Sequence, residues 1–421
     1  MSVPLDRLYN FLHDISDRAL LIYRWTPHGS KKLADLRPLH SITGPQWRDR
    51  NIPAMICHDQ EPLFYDLYTE SDVHDQMLVI LENIPAADLG NRKNILSLLD
   101  FLPKLHLRGL IYLEKQCAYD KILILHSEKR SDELKKYQSN DCLGVYYWSH
   151  AMIAADWFRY AEQDPKLVVD FSCIQKDFLI YNRAWSGTRE YRLTFMQQLV
   201  QEQLQSYCLT SFAELDNGCN YLDHEFKNAD LAVELAGLSS HFSTNKHNSR
   251  ASADYNNDDY ACTAIEVVLE TLFDDSRLHL TEKTLRPIAC GRPFILVATH
   301  GSLEYLRDYG FQTFNGFIDE TYDTIVDPTQ RLQAVIKEMS RIAALSHTDK
   351  HILWSKIYEI SKFNQQLFFS KNWQQSIVEE FLCNLSRSVS VLDQHKNKVI
   401  QEQLDQIWVN NHHVPESTMI L

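Results

Sequence analysis

The chain has 421 residues, a length that favours two domains of ordinary size, and 44% of its residues are hydrophobic, enough to form a core in each domain. Its formal net charge of −14 indicates a surface that repels polyanions, which argues against a protein that coats DNA or RNA. The nine cysteines form no Cys-x-x-Cys pair, which argues against a zinc site or a disulfide framework and favours buried free thiols.

The N-terminal segment is charged from Asp6 onward, so we expect no signal peptide there. No apolar stretch approaches the roughly 20 residues that cross a bilayer. A cytoplasmic protein without a membrane span is therefore expected.

Short apolar runs separated by helical patterns fill the first 150 residues. Continuous apolar strands of this kind are typical of a parallel sheet that is covered on both faces. The predicted strands are 19–23, 53–57, 77–81, 121–125 and 144–148. Because parallel sheets bind ligands at the carboxyl ends of their strands, the polar loops that follow are expected around one cleft, at 26–30, 58–61, 126–129 and 149–150.

A second α/β segment follows. Its predicted strands are 177–181, 207–210, 264–269 and 293–297, and its predicted helices are 188–204 and 282–290. From residue 238 to 260 the chain is polar and lacks a strand pattern, which predicts a long loop of the kind that forms lids. Beyond Pro328, apolar residues three and four apart predict helices over 329–345, 350–369 and 372–408.

Between the predicted strand 293–297 and the first of these helices, the sequence pattern remains that of an α/β domain. We expect a helix after Gly301-Ser302, a strand after Gly310-Phe311, and an acidic turn at 319–323. The side chains of Asp319, Glu320 and Tyr322 either approach the cleft or belong to a capping turn, and the capping interpretation is favoured.

One segment, between residues 264 and 298, carries most of the chemistry. A buried strand delivers Glu270, and Thr281 is suited to cap the helix that follows. The N–H groups at such a helix start suit a phosphate or a ribose hydroxyl, and Lys283 adds a cation there. Gly291 is suited to end the helix. A solvated helix start would show the same residues, so the pattern alone leaves both interpretations open.

The segment resembles the donor-binding signature of GT-B glycosyltransferases, particularly that of the α-1,3-fucosyltransferase family. In that family a strand ends in an acidic Phe-Glu-Asn turn and leads to Thr-Glu-Lys and then to Ala-Gly-x-Pro. The matching residues here are Leu269-Glu270-Thr271, Thr281-Glu282-Lys283 and Ala289-Cys290-Gly291-Arg292-Pro293. The resemblance implies that Glu282 contacts the ribose and Lys283 the phosphate of a nucleotide sugar. Thr271 and Cys290 depart from the family pattern, so the sugar and base preferences are not carried over.

A second match lies upstream, where Asn182-Arg183 follows a predicted strand and Arg189 stands at the start of the next helix. This arrangement resembles the first strand and helix of GT-B C-terminal domains. The planar fork of arginine binds phosphate with paired donors, so Arg183 and Arg189 are candidates to neutralise the diphosphate leaving group. Arg192 is either a further phosphate ligand or a solvated helix residue.

Sugar transfer also needs a base that takes the proton of the acceptor hydroxyl. In GT-B enzymes this base usually comes from the N-terminal domain. The candidates with a carboxylate at a strand end are Asp59 and Glu61. Their rivals at other predicted strand ends are His28, His58 and His150.

Metal chemistry has little support in the sequence. No two aspartates are separated by a single residue, so the Asp-x-Asp motif of GT-A transferases is missing, and no Gly-x-Gly occurs. His347 and His351 are spaced for one helix face but have no third ligand nearby in the sequence. We expect an enzyme that needs no metal or other cofactor besides its nucleotide-sugar substrate.

These observations predict an α/β protein of the GT-B class, with two Rossmann-like domains that face a cleft and C-terminal helices that pack back. The expected boundaries are 1–165 for the acceptor domain, 166–345 for the donor domain and 346–421 for the helical segment. The resemblance implies a hexosyl- or fucosyltransferase-like enzyme that moves a sugar, with inversion, to a hydroxyl of a glycan, protein or small molecule. The alternatives are a noncatalytic GT-B-like binding or structural protein, and a transferase that modifies DNA bases, against which the acidic charge counts.

Overall fold

The computed structural model divides into two compact units, residues 1–156 together with 375–421, and residues 157–374. The residues that the structure describes are 21–25, 37–38, 54–58, 122–126, 129–130, 142–146, 148, 150–151, 154–155, 158–159, 161–210, 212–216, 218–242 and 255–392. The predicted domain boundaries after residues 165 and 345 stay predictions.

The first unit contains a five-stranded sheet in the order β2-β1-β3-β4-β5. Its strands are β1 (Leu21–Trp25), β2 (Arg37–Pro38), β3 (Ala54–His58), β4 (Ile122–His126) and β5 (Cys142–Tyr146). β2 pairs antiparallel with β1, and the other pairs are parallel. The register aligns Trp25 with His58 and His126 with Tyr146, so the carboxyl ends of the parallel strands share one edge.

The strands predicted for this unit are confirmed with shifts of one or two residues, except for the run 77–81, which lies outside the described residues. Sequence analysis missed β2, which has only two residues and no apolar run of its own.

The second unit is built on a four-stranded parallel sheet in the order β11-β10-β6-β7. These strands are β6 (Lys176–Ile180), β7 (Cys208–Thr210), β10 (Thr263–Leu269) and β11 (Phe294–Val297). A separate small antiparallel pair consists of β8 (Leu215–Asp216) and β9 (Cys219–Asn220). Every residue of β10 is buried, as expected for an apolar strand that lies between two others and is covered on both faces. The prediction of a parallel α/β sheet is therefore confirmed for this unit.

The helices are α1 (Tyr191–Gln201), α2 (Asn257–Ala261), α3 (Glu282–Ala289), α4 (Ser302–Asp308), α5 (Pro328–Ala343), α6 (His347–Phe369) and α7 (Lys371–Leu392). α5 begins where Asp327 accepts a hydrogen bond from the Gln330 N–H and Pro328 takes the first helical position. α1 starts three residues later than predicted because Gly187–Arg189 first forms a 3-10 turn. The end predicted for the last helix, at residue 408, lies outside the described residues.

No helix in the described part of the chain has the length and apolar character that a membrane crossing requires.

α6 is tied to three other elements of the second unit. Lys350 pairs with Asp177 of β6 at 2.6 Å, and the Tyr358 hydroxyl donates to the Ala264 carbonyl of β10 at 3.1 Å. The Gln365 side chain donates to the Ala289 carbonyl at the end of α3, at 2.8 Å. Burial raises the pKa of Asp177, and the hydrogen bond and charge of Lys350 oppose that rise. α6 therefore belongs to the same packed body as the sheet.

The strand expected after Gly310-Phe311 does not form among the described residues. The Asn364 side chain of α6 accepts from the Gln312 N–H and donates to the Gln312 carbonyl, both at 2.8 Å. Because these backbone groups are already satisfied by an amide, the segment has no need of a neighbouring strand.

The expectation of buried thiols holds only in part. Cys208 and Cys290 are buried, and burial raises the pKa of both thiols. Cys173, Cys219 and Cys383 are exposed, in segments where the sequence offers no continuous apolar run.

α3 ends at a glycine in the left-handed conformation, as the sequence predicts. Gly291 has a φ of 64°, its N–H donates to the Ile288 carbonyl at 3.0 Å, and the Arg292 N–H donates to the Pro287 carbonyl at 2.8 Å. This pair of bonds is the Schellman arrangement, which satisfies carbonyls that a helix end otherwise leaves open.

Replacing Gly291 with alanine is expected to destabilise the protein by about 2 kcal/mol, because a left-handed L-residue is strained. The added Cβ would also lie 3.0 Å from Gln365 Oε1. Gly316→Ala is the matched control, since Gly316 has a φ of 92° and nothing within 4 Å of an added Cβ. Thermal unfolding of both variants checks this. Equal losses of stability in the two variants would show that Gln365 moves away from the added Cβ at no cost in free energy.

Candidate functional site

The chain reverses its direction of travel across the second sheet between β6 and β10. β6 comes first in sequence, β7 lies on one side of it, and β10 and β11 lie on the other. Open α/β sheets bind ligands at such a reversal, outside the carboxyl ends of the two strands. The residues that follow Ile180 and Leu269 therefore form the candidate site, which we call the switch point.

Glu270 lies at the switch point, directly after β10, and is fully buried. Its Oε1 accepts from the N–H groups of Thr281 at 2.9 Å and Thr284 at 3.3 Å, and from the Thr284 hydroxyl at 2.5 Å. Its Oε2 accepts from the Thr271 N–H at 3.0 Å and from the Thr281 hydroxyl at 2.8 Å. The carboxylate thus closes the loop between β10 and α3 and caps the helix.

Thr281 caps α3 as predicted, and it also positions Lys283. The Thr281 Oγ1 accepts from the Lys283 N–H and from the Lys283 ammonium, both at 3.2 Å. The ammonium also pairs with Glu282 at 2.9 Å. Since the Lys283 side chain is 21% exposed and that of Glu282 is 5% exposed, Lys283 is the more accessible charge at this helix start.

Several N–H groups at the start of α3 have acceptors within the protein, whereas the sequence suggested a phosphate or a ribose hydroxyl as their partner. Glu270 takes those of Thr281 and Thr284, and the Thr281 hydroxyl takes that of Lys283. A capping carboxylate already lies where an anion would bind. This arrangement favours side-chain cations as the contacts for an anionic ligand at the switch point.

Arg192 is neither solvated nor a phosphate ligand in the described structure. It is 3% exposed, and its guanidinium donates to the Ala184 carbonyl at 2.7 Å and to the Leu269 carbonyl at 2.6 Å. The neighbouring Tyr191 hydroxyl donates to the Glu270 carbonyl at 2.6 Å, and burial raises the pKa of Tyr191 to about 12. α1 thereby joins the chain after β6 to the end of β10. The sequence signal was an arginine on the apolar face of a helix, which requires internal acceptors.

The loop between β6 and α1 is held by Asp216. Its Oδ2 accepts from the N–H groups of Trp185 at 2.8 Å and Ser186 at 2.7 Å. Burial disfavours ionisation of this carboxyl, but these hydrogen bonds and the charge of Arg189 outweigh burial and lower its pKa. The charge of Arg189 therefore acts on a carboxylate of β8.

Asn182 and Arg183, the other candidates in this loop, lie in contrasting environments. Asn182 is 2% exposed, and neither its Oδ1 nor its Nδ2 has a hydrogen-bond partner among the described residues. Arg183, the next residue, is exposed. The neutral side chain therefore lies inside and the cation outside.

A buried polar network beside the switch point was missed by sequence reasoning. Glu266, in the middle of β10, pairs with Arg286 of α3 and accepts from the Tyr260 hydroxyl. The Arg286 guanidinium lies 4.5 Å from the centre of the Tyr181 ring, and the Tyr181 hydroxyl donates to Asp259 at 2.9 Å. Burial raises the pKa of both tyrosines. Glu266 within an apolar run was the available signal, because a buried carboxylate needs a partner.

The acidic turn at 319–323 is a capping structure, as favoured from the sequence. Asp319 caps the turn that follows it, and Glu320 accepts from the Phe314 N–H at 2.5 Å. Asp323 accepts from the Leu303 N–H at the start of α4, at 3.1 Å. Burial raises the pKa of Glu320 and of Asp323. These carboxylates hold main-chain groups and are not placed for catalysis.

The candidate bases fall in the first unit. Asp59, Glu61 and His28 lie outside the described residues, so their roles stay predictions. His58 is the last residue of β3, at the carboxyl edge of that sheet, and His150 is half-buried.

The described residues also include the histidine pair on α6. The rings of His347 and His351 are 4.4 Å apart. Among the residues that the structure describes, no group of three or more His, Cys, Asp or Glu side chains is placed to hold a metal ion.

Comparison of the chain with protein-family models, with curated proteins and with solved structures finds no match. The likeness to glycosyltransferases therefore rests on the motifs described above.

Replacing Glu270 with glutamine is expected to destabilise the protein by about 3 kcal/mol, because the new amide nitrogen would face N–H and O–H donors and leave some unpaired in a dry site. Glu282→Gln is the matched control and should cost less than about 1 kcal/mol, since its partner Lys283 is partly exposed. Denaturant unfolding of the two variants measures the difference. A loss no larger for Glu270→Gln than for Glu282→Gln would contradict the capping role.

Proposed function

We propose that this chain is a glycosyltransferase that binds a nucleotide-sugar donor at the switch point of its second unit and transfers the sugar to a hydroxyl acceptor. The observation that carries the proposal is the placement of Lys283. It presents a partly exposed ammonium at the start of α3, fixed by Thr281 and Glu282, beside the reversal of the sheet. The resemblance to donor-binding motifs of GT-B enzymes assigns that same lysine to the phosphate.

Departure of a nucleoside diphosphate requires that the charge growing on it be stabilised. The N–H groups of Thr281, Lys283 and Thr284 are taken by Glu270 and Thr281, so side chains are given this task. Arg183 is exposed at the end of β6, and Arg189 stands at the entry to α1. Together with Lys283 they supply cations without a metal, consistent with a sequence that lacks Asp-x-Asp.

The proposal takes the base from the first unit. Asp59 and Glu61 follow β3, whose end lies at the carboxyl edge of the first sheet. One of them removes the proton of the acceptor hydroxyl as that oxygen attacks the sugar carbon, and the bond to the diphosphate breaks. A single displacement of this kind inverts the configuration at that carbon.

One observation favours a second candidate, a noncatalytic binding protein. Glu270 and Asp216, in or beside the loops at the switch point, are both occupied by main-chain hydrogen bonds, and Glu282 pairs with Lys283. An enzyme must therefore obtain its base elsewhere in the chain, whereas a binding protein needs none. A transferase that acts on DNA bases is disfavoured by the net charge of −14.

A thermal-shift screen against UDP, GDP, ADP, CMP and their common sugar conjugates is expected to show stabilisation by one nucleotide class. Lys283→Ala should weaken binding of that nucleotide about tenfold or more, because it removes a cation that contacts phosphate.

Lys356→Ala, which removes an exposed lysine in the middle of α6, is the matched control and should bind as the wild type does. Equal binding by wild type and Lys283→Ala would remove the observation on which the proposal rests. A screen in which no nucleotide stabilises the wild type would refute a nucleotide-sugar donor.

Turnover is measured as hydrolysis of the donor that the screen identifies, with water in place of the acceptor. The rate at which nucleoside diphosphate is released is expected to fall about 100-fold or more in either Asp59→Asn or Glu61→Gln, because general-base catalysis contributes that much. Donor binding should be unchanged in both variants. If the wild type binds the donor but releases no diphosphate with any hydroxyl acceptor offered, the noncatalytic candidate is the correct one.

A further inference from the structure

Asn182 places a buried side-chain amide at the switch point. It follows the last residue of β6 by two positions and is 2% exposed. Neither of its amide atoms has a hydrogen-bond partner among the described residues. Burial of an unpaired amide is unfavourable, because water solvates both atoms in the unfolded chain. Such groups are rare in native proteins, and this one lies where the fold places ligands.

Other buried polar groups in and around the loops at the switch point have structural roles. Glu270 caps α3, Asp216 holds the loop after β6, and Arg192 joins that loop to β10. Asn182 holds no described group in place. Folding alone therefore gives no reason for an amide at this position, whereas binding of a ligand does.

The chemistry of an amide limits what the ligand is. Oδ1 accepts hydrogen bonds and Nδ2 donates them, so a matching group presents a donor and an acceptor side by side. A phosphate offers acceptors only and would leave Oδ1 unpaired. Neighbouring hydroxyls of a sugar satisfy both atoms, and so does the edge of a nucleobase.

The position of Asn182 decides between these two. Arg183 is the next residue, about 3.8 Å along the chain, and in the proposed function it neutralises the diphosphate. The transferred sugar and the ribose are both bonded directly to that diphosphate, whereas the nucleobase is separated from it by the ribose. The resemblance assigns the ribose to Glu282, which leaves the transferred sugar. A neutral residue adjacent to the phosphate-binding cation therefore faces the sugar.

We propose that Asn182 binds neighbouring hydroxyls of the transferred sugar and so determines which sugar is accepted. This inference rests on the proposed function, because it assumes a nucleotide-sugar donor at the switch point. Solvent does not reach the amide in this structure. Binding of the sugar is therefore coupled to a local opening of the side chains around Asn182.

The test compares Asn182→Leu, which keeps the branched shape without polar atoms, with Asn182→Ala. Thr299→Val is the matched control. Thr299 is 1% exposed with an unpaired hydroxyl, but it follows β11, on the far side of β10 from Asn182. Melting temperatures are measured without ligand. Affinities are measured by calorimetry for UDP against UDP-glucose and for GDP against GDP-fucose.

Asn182→Leu is expected to raise the melting temperature of the free protein by about 2–4 °C, because an unpaired buried amide is removed. It should also lose about tenfold in affinity for the sugar nucleotide while it binds the nucleoside diphosphate as the wild type does. Thr299→Val should raise the melting temperature and leave both affinities unchanged.

Three results would overturn the inference. If both Asn182 variants melt about 4 °C or more below the wild type, the amide is already satisfied in the free protein. If Asn182→Leu loses affinity equally for the nucleoside diphosphate and its sugar conjugate, the amide does not contact the sugar. If it binds both as the wild type does, Asn182 is not a ligand residue. In the last two cases nucleotide binding by the wild type persists, whereas failure of the proposed function itself removes binding from the wild type.

Discussion

The hydrogen bonds around residue 270 fix the geometry on which the candidate site depends. The Glu270 carboxylate binds the start of α3, and the carbonyl of the same residue accepts from Tyr191 of α1. Arg192 adds a bond to the preceding carbonyl and to the loop after β6. Two helices that lie far apart in sequence are thus positioned against one residue at the end of β10. A shift of that residue would move Lys283 and the loop that carries Asn182 together.

Buried arginines explain why the total charge says little about the site. Arg192, Arg286, Arg292 and Arg331 are all nearly inaccessible, and their guanidinium groups bind carbonyls, a tyrosine hydroxyl or a carboxylate. Burial lowers the pKa of Arg331 to about 10, yet three carbonyls surround its guanidinium. These cations belong to the interior. Arg183 and Lys283 are more accessible to solvent, within a chain of net charge −14.

Local signals in the sequence predicted most of the described helices and strands. The features that the sequence did not predict depend on contacts between residues far apart in the chain. Thr281 begins α3 through its own side chain, and Gly291 ends it because glycine adopts the left-handed conformation. Both residues were therefore identified from the sequence. The role of Glu270 depends on hydrogen bonds to Thr281 and Thr284, 11 and 14 residues away, which no spacing rule reveals. Likewise, the backbone of Gln312, where a strand was expected, is bound by Asn364, 52 residues further on.

The attachment of α6 has a consequence for synthesis of the chain. Its contacts reach back 173 residues to Asp177, 94 to Ala264 and 76 to Ala289. During translation β6, β10 and α3 emerge well before α6. Until α6 emerges, Asp177 lacks its partner Lys350 and the sheet lacks one of the helices that pack on it. Contacts of such long sequence separation also slow folding, because the entropy of closing the chain is lost before they form. The second unit is therefore completed only once residues near 370 leave the ribosome.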